Sequence, residues 1–199
     1  MHKPAVTQVP IADVIANRWS GRAYDANKPV SHTQVISLLE AARWAPSCFG
    51  DQPWRFLVWN KHTDAKAWQQ AFDCLVPGNQ AWVKDAPVLL LTCADTLFGY
   101  NQKPNRWAQY DTGAAAENLC LQAEALGLMA HQMGGFDANA ASKAFNIPEQ
   151  FTLMAMISIG HQADINTLSG EVLAREIAPR ARRSLQELFF SDRWEKPIV

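Results

Sequence analysis

The sequence predicts a mixed fold, α+β or α/β, on three observations. Helical and strand-like hydrophobic patterns alternate along the chain, giving several helices and roughly four or five strands. Its 199 residues, 48% hydrophobic and 19% charged, suffice to bury one sizeable core. No internal repeat or low-complexity linker breaks the alternation, so residues 1–199 read as a single domain.

Taken in order, residues 10–17 read as a short helix opening at Pro10, a residue tolerated in a first helical turn. Ser31-His32-Thr33-Gln34 has the form of a capping box. The helix behind it carries Val35, Leu38, Leu39 and Ala42 on one face and should stop before Pro46. Trp54–Trp59, aromatic and branched, reads as a strand, and residues 63–74 as a helix. Val88–Thr92 is a continuous apolar run, the pattern of a strand buried on both faces. Thr112–Leu126 reads as a long helix whose polar face is reduced to Glu117, Asn118, Gln122 and Glu124, which places it centrally or in an oligomer interface. Asp137 is positioned to cap a helix running to Phe145 and ended by Ile147-Pro148, and Phe151–Gly160 is again strand-like.

Composition narrows the function classes. A formal net charge of −1 provides no global basic field for nucleic acid or an anionic membrane, so local clusters must carry any anion binding. The N-terminus shows no apolar run resembling a signal peptide, and the longest apolar stretch, around Pro87–Leu91, is too short to span a bilayer. Cys48, Cys74, Cys93 and Cys120 are widely spaced, with no Cys-x-x-Cys pair. They support neither a disulfide framework nor a zinc site, and a reduced, cytoplasmic setting is expected.

Four segments could carry chemistry. Arg18-Trp19-Ser20-Gly21-Arg22 places two guanidinium groups and a hydroxyl at alternate positions, on one side if the segment is extended, and such a trio can surround a phosphate. On spacing alone, two solvated arginines are the simpler reading. Ala45–Trp54 is stiffened by Pro46 and Pro53, freed at Gly50, and offers hydrogen bonds from Ser47 and Gln52; it suits a ligand edge or a well-made connector equally. In Gln132-Met133-Gly134-Gly135-Phe136, paired glycines allow close backbone approach to a flat ligand, without the spacing of a dinucleotide fingerprint. Pro179-Arg180-Ala181-Arg182-Arg183 is a solvated face or a second phosphate contact.

The order of these pieces resembles the nitroreductase family. Arg18-x-Ser20-x-Arg22, Ala45-Pro46-Ser47 with Gln52-Pro53-Trp54, Met133-Gly134-Gly135-Phe136-Asp137, Ile147-Pro148, Ser158-Ile159-Gly160 and Arg182-Arg183-Ser184-Leu185-x-Glu187-Leu188 match its landmarks from about Ile15 to Trp194. The resemblance implies a nitroreductase-like fold, with a central, mostly antiparallel sheet of four to five strands flanked by helices. It also implies a homodimer with FMN at its interface and the long helix from Thr112 as the buried dimer element. Arg18, Ser20 and the Arg182-Arg183 region would hold the phosphate, with Trp19 and Arg22 alongside. Pro46 and Ser47 would line the ring and Gln52 would face it; Asn79 would bond its pyrimidine edge; and the backbone of Met133, Gly134 and Gly135 would cover it. Gly50 departs from the pattern, since many relatives carry asparagine there.

The implied chemistry is a two-stage cycle in which NAD(P)H gives a hydride to the flavin and an electron-poor nitroaromatic, quinone or similar compound then takes it. No side-chain nucleophile is needed. His131 reads as a core or supporting histidine, and Trp54, Trp59 and Trp82 as packing. Phe98, Tyr100 and Trp107 are the candidates to shape substrate access. A specialised flavoenzyme on the same scaffold, dehalogenating or flavin-consuming, and a non-enzymatic flavin-binding dimer are the rival readings.

Overall fold

The computed structural model describes residues 1–199. Its centre is a four-stranded antiparallel sheet in the order β1-β2-β4-β3, with β1 at Trp54–Asn60, β2 at Val88–Asp95, β3 at Met129–Met133 and β4 at Phe151–Gly160. β2 lies between β1 and β4, and its seven residues from Val88 to Ala94 are all buried, as its unbroken apolar run requires. Its side chains divide by strand alternation. Val88 and Leu90 enter a core formed with α2 (His32–Arg43) and α5 (Ala108–Ala125), while Leu89 and Leu91 enter one formed with α3 (Ala65–Asp73), α4 (Pro77–Val83) and α6 (Ala138–Phe145). The register between β2 and β4 shifts at Thr92/Cys93, where the Thr92 hydroxyl donates to the carbonyl of Ala155 and accepts from its N–H.

Local chemistry explains most element boundaries. The Ser31 hydroxyl accepts from Gln34 N while the Gln34 amide accepts from Ser31 N, completing the capping box of α2, and the Asp64 and Asp137 carboxylates cap α3 and α6 by accepting from Ala67 N and Ala140 N. Asn146, in the left-handed conformation, closes α6 before Pro148.

Some expectations need correction. The first helix, α1, is Asp13–Asn17 and not 10–17; the acidic residue marks its first turn, and Pro10 stays outside. The long helix starts at Ala108, four residues before Thr112, because Asn105 closes the preceding turn by accepting from Trp107 N. Four elements were not anticipated: β3, α4 (with Pro77 in its first turn), α7 (Gly170–Ile177) and the single turn α8 (Leu185–Leu188). No helix is long and apolar enough to cross a membrane.

Candidate functional site

The segment Arg18–Arg22 leaves α1 and runs beside β3. Gly21 is required there: a Cβ would lie 2.1 Å from Met129 Sδ and 3.2 Å from the Trp19 ring. The Gly21 carbonyl is bonded by His131 Nδ1 at 2.9 Å, and the His131 ring packs on Trp82 at 4.5 Å. Burial pushes the His131 pKa down to about 4, against the bond to Gly21 and with the charges of Arg22 and Arg18 adding to the effect. His131 therefore stands as a neutral brace for the segment, in line with its reading as a supporting histidine.

Around this brace the cations converge. Arg18 donates weakly to the Ser20 hydroxyl at 3.5 Å and pairs with Glu117 of α5 at 3.3 Å. Arg22 donates its backbone N–H to Glu176 Oε1 at 2.9 Å, and its guanidinium lies 3.6 Å from Oε2. Glu176, fully buried at the end of α7, thus ties the N-terminal segment to the C-terminal one. Beyond α7 the chain returns Arg180, whose guanidinium donates to the carbonyls of Lys3 at 2.6 Å and Ala16 at 2.8 Å, while Lys3 Nζ donates to those of Glu176 and Ala178.

Two cavities that share Arg18, Arg180 and Arg182 result, of about 490 and 250 Å³. The smaller is lined by Lys3, Arg18, Trp19, Ser20, Arg22, Arg175 and Arg182 among others. The larger is walled by the N-terminal arm from Ala5 to Ile11 and by Arg180–Leu185, Arg183 included. Burial lowers the pKa of Arg180, and the charges of Arg18 and Arg182 lower it further. Like charges held this close, outnumbering the carboxylates of Glu117, Glu124, Glu171 and Glu176 around them, make a site that an anion relieves.

The other expected residues lie in separate groups. In the loop 46–53 the Ser47 hydroxyl accepts from Gln52 N at 3.0 Å, and Cys48 N donates to buried Asp111 at 3.0 Å. Gly50 has φ 66°, a conformation glycine and asparagine both tolerate, so its departure from the family pattern leaves the turn intact. Pro46, Ser47 and Gln52 line neither arginine cavity. In the third group, Asn79 donates its amide to the carbonyl of Gly135 at 3.0 Å, and the Met133 side chain is buried in the core. A Cβ on Gly135 would sit 2.7 Å from Asn79 Nδ2 and 2.9 Å from Val76, whereas nothing lies within 4 Å of one on Gly134. Gly135 serves internal packing, and Gly134 faces open space.

A family model for the nitroreductase family matches residues 15–161, which take in the Arg18 segment, the 46–53 loop and Gly134-Gly135. The chain belongs to the nitroreductase family. Among solved structures similar to this nitroreductase-family chain, an oxidoreductase described as containing FMN superposes with a TM-score of 0.89, at 33% identity over 96% of each chain. A nitroreductase from Desulfovibrio desulfuricans, provisionally named and described in complex with FMN, has a TM-score of 0.71 at 28% identity over 94% of this chain and 99% of its own. An uncharacterised 15.4 kDa protein of Mycolicibacterium smegmatis is 32% identical, covering 72% of this chain and 99% of its own. A Methanothermobacter thermautotrophicus protein with a provisional NADH dehydrogenase/NAD(P)H nitroreductase name is 28% identical over 80% of this chain and 81% of its own.

Lys3, Glu117 and Glu176 escaped the sequence reading. Lys3 and Glu176 meet across 173 residues, and neither sits in a motif. Only the arginine run at 180–183 carried a signal for that corner of the molecule.

Proposed function

We propose that this chain is an FMN-dependent oxidoreductase. In this reading it passes a hydride from NAD(P)H, by way of the flavin, to small electron-poor acceptors such as nitroaromatics or quinones, the two substrates using one open face in turn. The whole chain acts as a single FMN-binding domain, paired with a second copy in a cytoplasmic homodimer. The observation that carries the reading is the convergence of Arg18, Arg22, Arg180 and Arg182, with the Ser20 hydroxyl, on one cavity wall. Guanidinium forks and a hydroxyl are the donor set a phosphate dianion selects, and the carboxylates nearby are too few to neutralise the cluster.

The remaining groups fit a planar ring. Gly134 keeps its side open, and the loop 46–53 offers the Ser47 hydroxyl and Gln52 amide from a stiff frame. FMN, when bound, supplies the hydride chemistry; the protein supplies orientation and charge. Arg18, Ser20, Arg22 and Arg182, with Trp19 beside them and Arg183 at the margin, would hold the phosphate. Pro46, Ser47, Gln52, Asn79, Met133, Gly134 and Gly135 would frame the ring. The Cys93 and Cys120 thiols are poor nucleophile candidates: burial pushes Cys93 up to about 11 and Cys120 up to about 12.

An anaerobic absorbance spectrum tests this. The purified protein, loaded with FMN, should bleach on addition of NADPH or NADH and recover when a nitroaromatic follows. A flavin that ignores both nicotinamides would favour a specialised enzyme or a binding protein, and a chain that takes up no FMN would end the proposal.

A further inference from the structure

The most exposed aromatic feature of the molecule sits in the same loop as Ser47 and Gln52. Phe49 has a left-handed backbone, φ 56°, and is 81% exposed. A non-glycine residue in that region carries backbone strain, and an exposed phenyl ring forgoes burial. Nothing about core packing accounts for either. Local hydrogen bonds nonetheless hold the arrangement firmly. Cys48 N is bonded to Asp111, and the Asp51 carboxylate accepts from Gly99 N at 2.9 Å and from the Asn105 amide at 3.3 Å. The turn at 47–52 is thereby fastened to α5 and to the 96–107 loop.

That second loop brings two more rings. Phe98 and Tyr100 lie 6.1 and 6.0 Å from Phe49, at interplanar angles of 67° and 73°, and 5.3 Å from each other. Both meet Phe49 steeply, and neither stacks parallel on it, so the ring retains an open face. Trp107, expected with them, is turned instead to Tyr110 and Arg106. An exposed phenyl face on a fixed backbone is matched to one kind of ligand: a flat ring depleted of electrons, which stacks in an offset, face-on geometry.

We propose that Phe49, buttressed by Phe98 and Tyr100, is the residue that selects planar, electron-poor aromatic acceptors over non-aromatic ones. The inference rests on the flavin reading above, because it takes the acceptor to the loop that carries Ser47 and Gln52. Phe49 touches neither the arginine cluster nor the core, so its replacement separates acceptor choice from flavin binding.

The test uses the FMN-loaded, oxidised protein without reductant. Calorimetric titration with 4-nitrobenzoate and with cyclohexanecarboxylate compares the wild type with Phe49→Leu and Phe49→Trp. The leucine variant should weaken nitrobenzoate binding roughly three- to tenfold, the worth of one aromatic contact, and leave the saturated acid unaffected; tryptophan should restore it. In stopped flow, protein reduced with stoichiometric dithionite should be reoxidised by nitrobenzoate more slowly in Phe49→Leu, and by ferricyanide at the wild-type rate. Equal binding in wild type and Phe49→Leu, equal loss for both acids, or no nitrobenzoate binding to FMN-loaded wild type would overturn the inference alone. A protein that takes up no FMN would overturn the flavin reading and this inference with it.

Discussion

At the scale of single residues, the arginine cluster is a problem of charge that geometry poses and a ligand must solve. Arg18 lines both cavities, as Arg180 and Arg182 do, and its one carboxylate partner is the half-exposed Glu117. A hydrogen bond to a charged group contributes about 1.5–3 kcal/mol, so Arg18→Ala should weaken FMN binding roughly ten- to a hundredfold, read by fluorescence titration of the apoprotein. Unchanged affinity would put the phosphate elsewhere. His131 provides a second test. Its pKa falls from an ordinary 6.5 to about 4 in the folded protein, so between those values the unfolded chain binds the extra proton. The stability this contributes is present above pH 6.5 and is lost as pH falls toward 4, an effect on the order of 2–3 kcal/mol. Urea midpoints over that window should fall more steeply for wild type than for His131→Gln; parallel curves would show that the ring is not held neutral. The arginines were legible as a candidate cluster because their motifs repeat one donor chemistry, and the structure gathers Arg18, Arg22, Arg180 and Arg182 on one cavity. Glu176 was not, because its role exists only once α7 folds back on Arg22.

At the scale of elements, boundaries were legible where a side chain writes them and obscure where only packing does. Ser31 and Asp137 announced α2 and α6 through their hydroxyl and carboxylate oxygens, whereas the Asp64 cap that sets the start of α3 at Ala65, inside the expected 63–74, emerged only in the structure. By contrast α4 opens at Val76-Pro77 and α7 at Ser169 with no side-chain cap hydrogen bond, so only Pro77 and the bare Ser169 mark their starts, and packing does the rest. The paired glycines show the same division. Sequence reasoning treated them as one device for ligand approach, yet they face different elements. At Gly135 a methyl group meets Asn79 and Val76 at the start of α4, and the bond from Asn79 to the Gly135 carbonyl would be forced apart. Gly135→Ala should therefore cost about 1–3 kcal/mol, seen as a lowered melting temperature of the apoprotein. Gly134→Ala meets nothing and should keep apoprotein stability within about 0.5 kcal/mol while weakening FMN uptake. Equal destabilisation by both would mean that the turn itself, and not its two neighbours, demands glycine.

At the scale of the whole molecule, the chain leaves unusual apolar surface at its two ends. Val6, Val9, Ile11 and Ile15 are exposed along the N-terminal arm, and Phe189, Trp194, Ile198 and Val199 along the C-terminal tail. The tail is ordered by its own hydrogen bonds, from Ser191 N to Lys196 O and Ile198 N to Phe189 O, yet its large rings stay outside the core. The face of α5 carrying Tyr110, Gly113 and Glu117 is exposed as well, although its opposite face is a principal wall of the core. The apolar sequence of that helix reflected burial against α2 and the sheet on one side, while the other side exposes Tyr110, Gly113 and the Arg18 partner Glu117. Exposed apolar surface of this kind is where the proposed pairing of two copies would place its interface, through the arms and this face of α5. The expected solution mass is twice 22.2 kDa, about 44 kDa, by light scattering after size exclusion. If pairing also completes the flavin site, dilution into the dissociating range should release FMN in step with the loss of mass. A 22.2 kDa species that retains FMN would show that one copy suffices, and the exposed arms would then need a different partner.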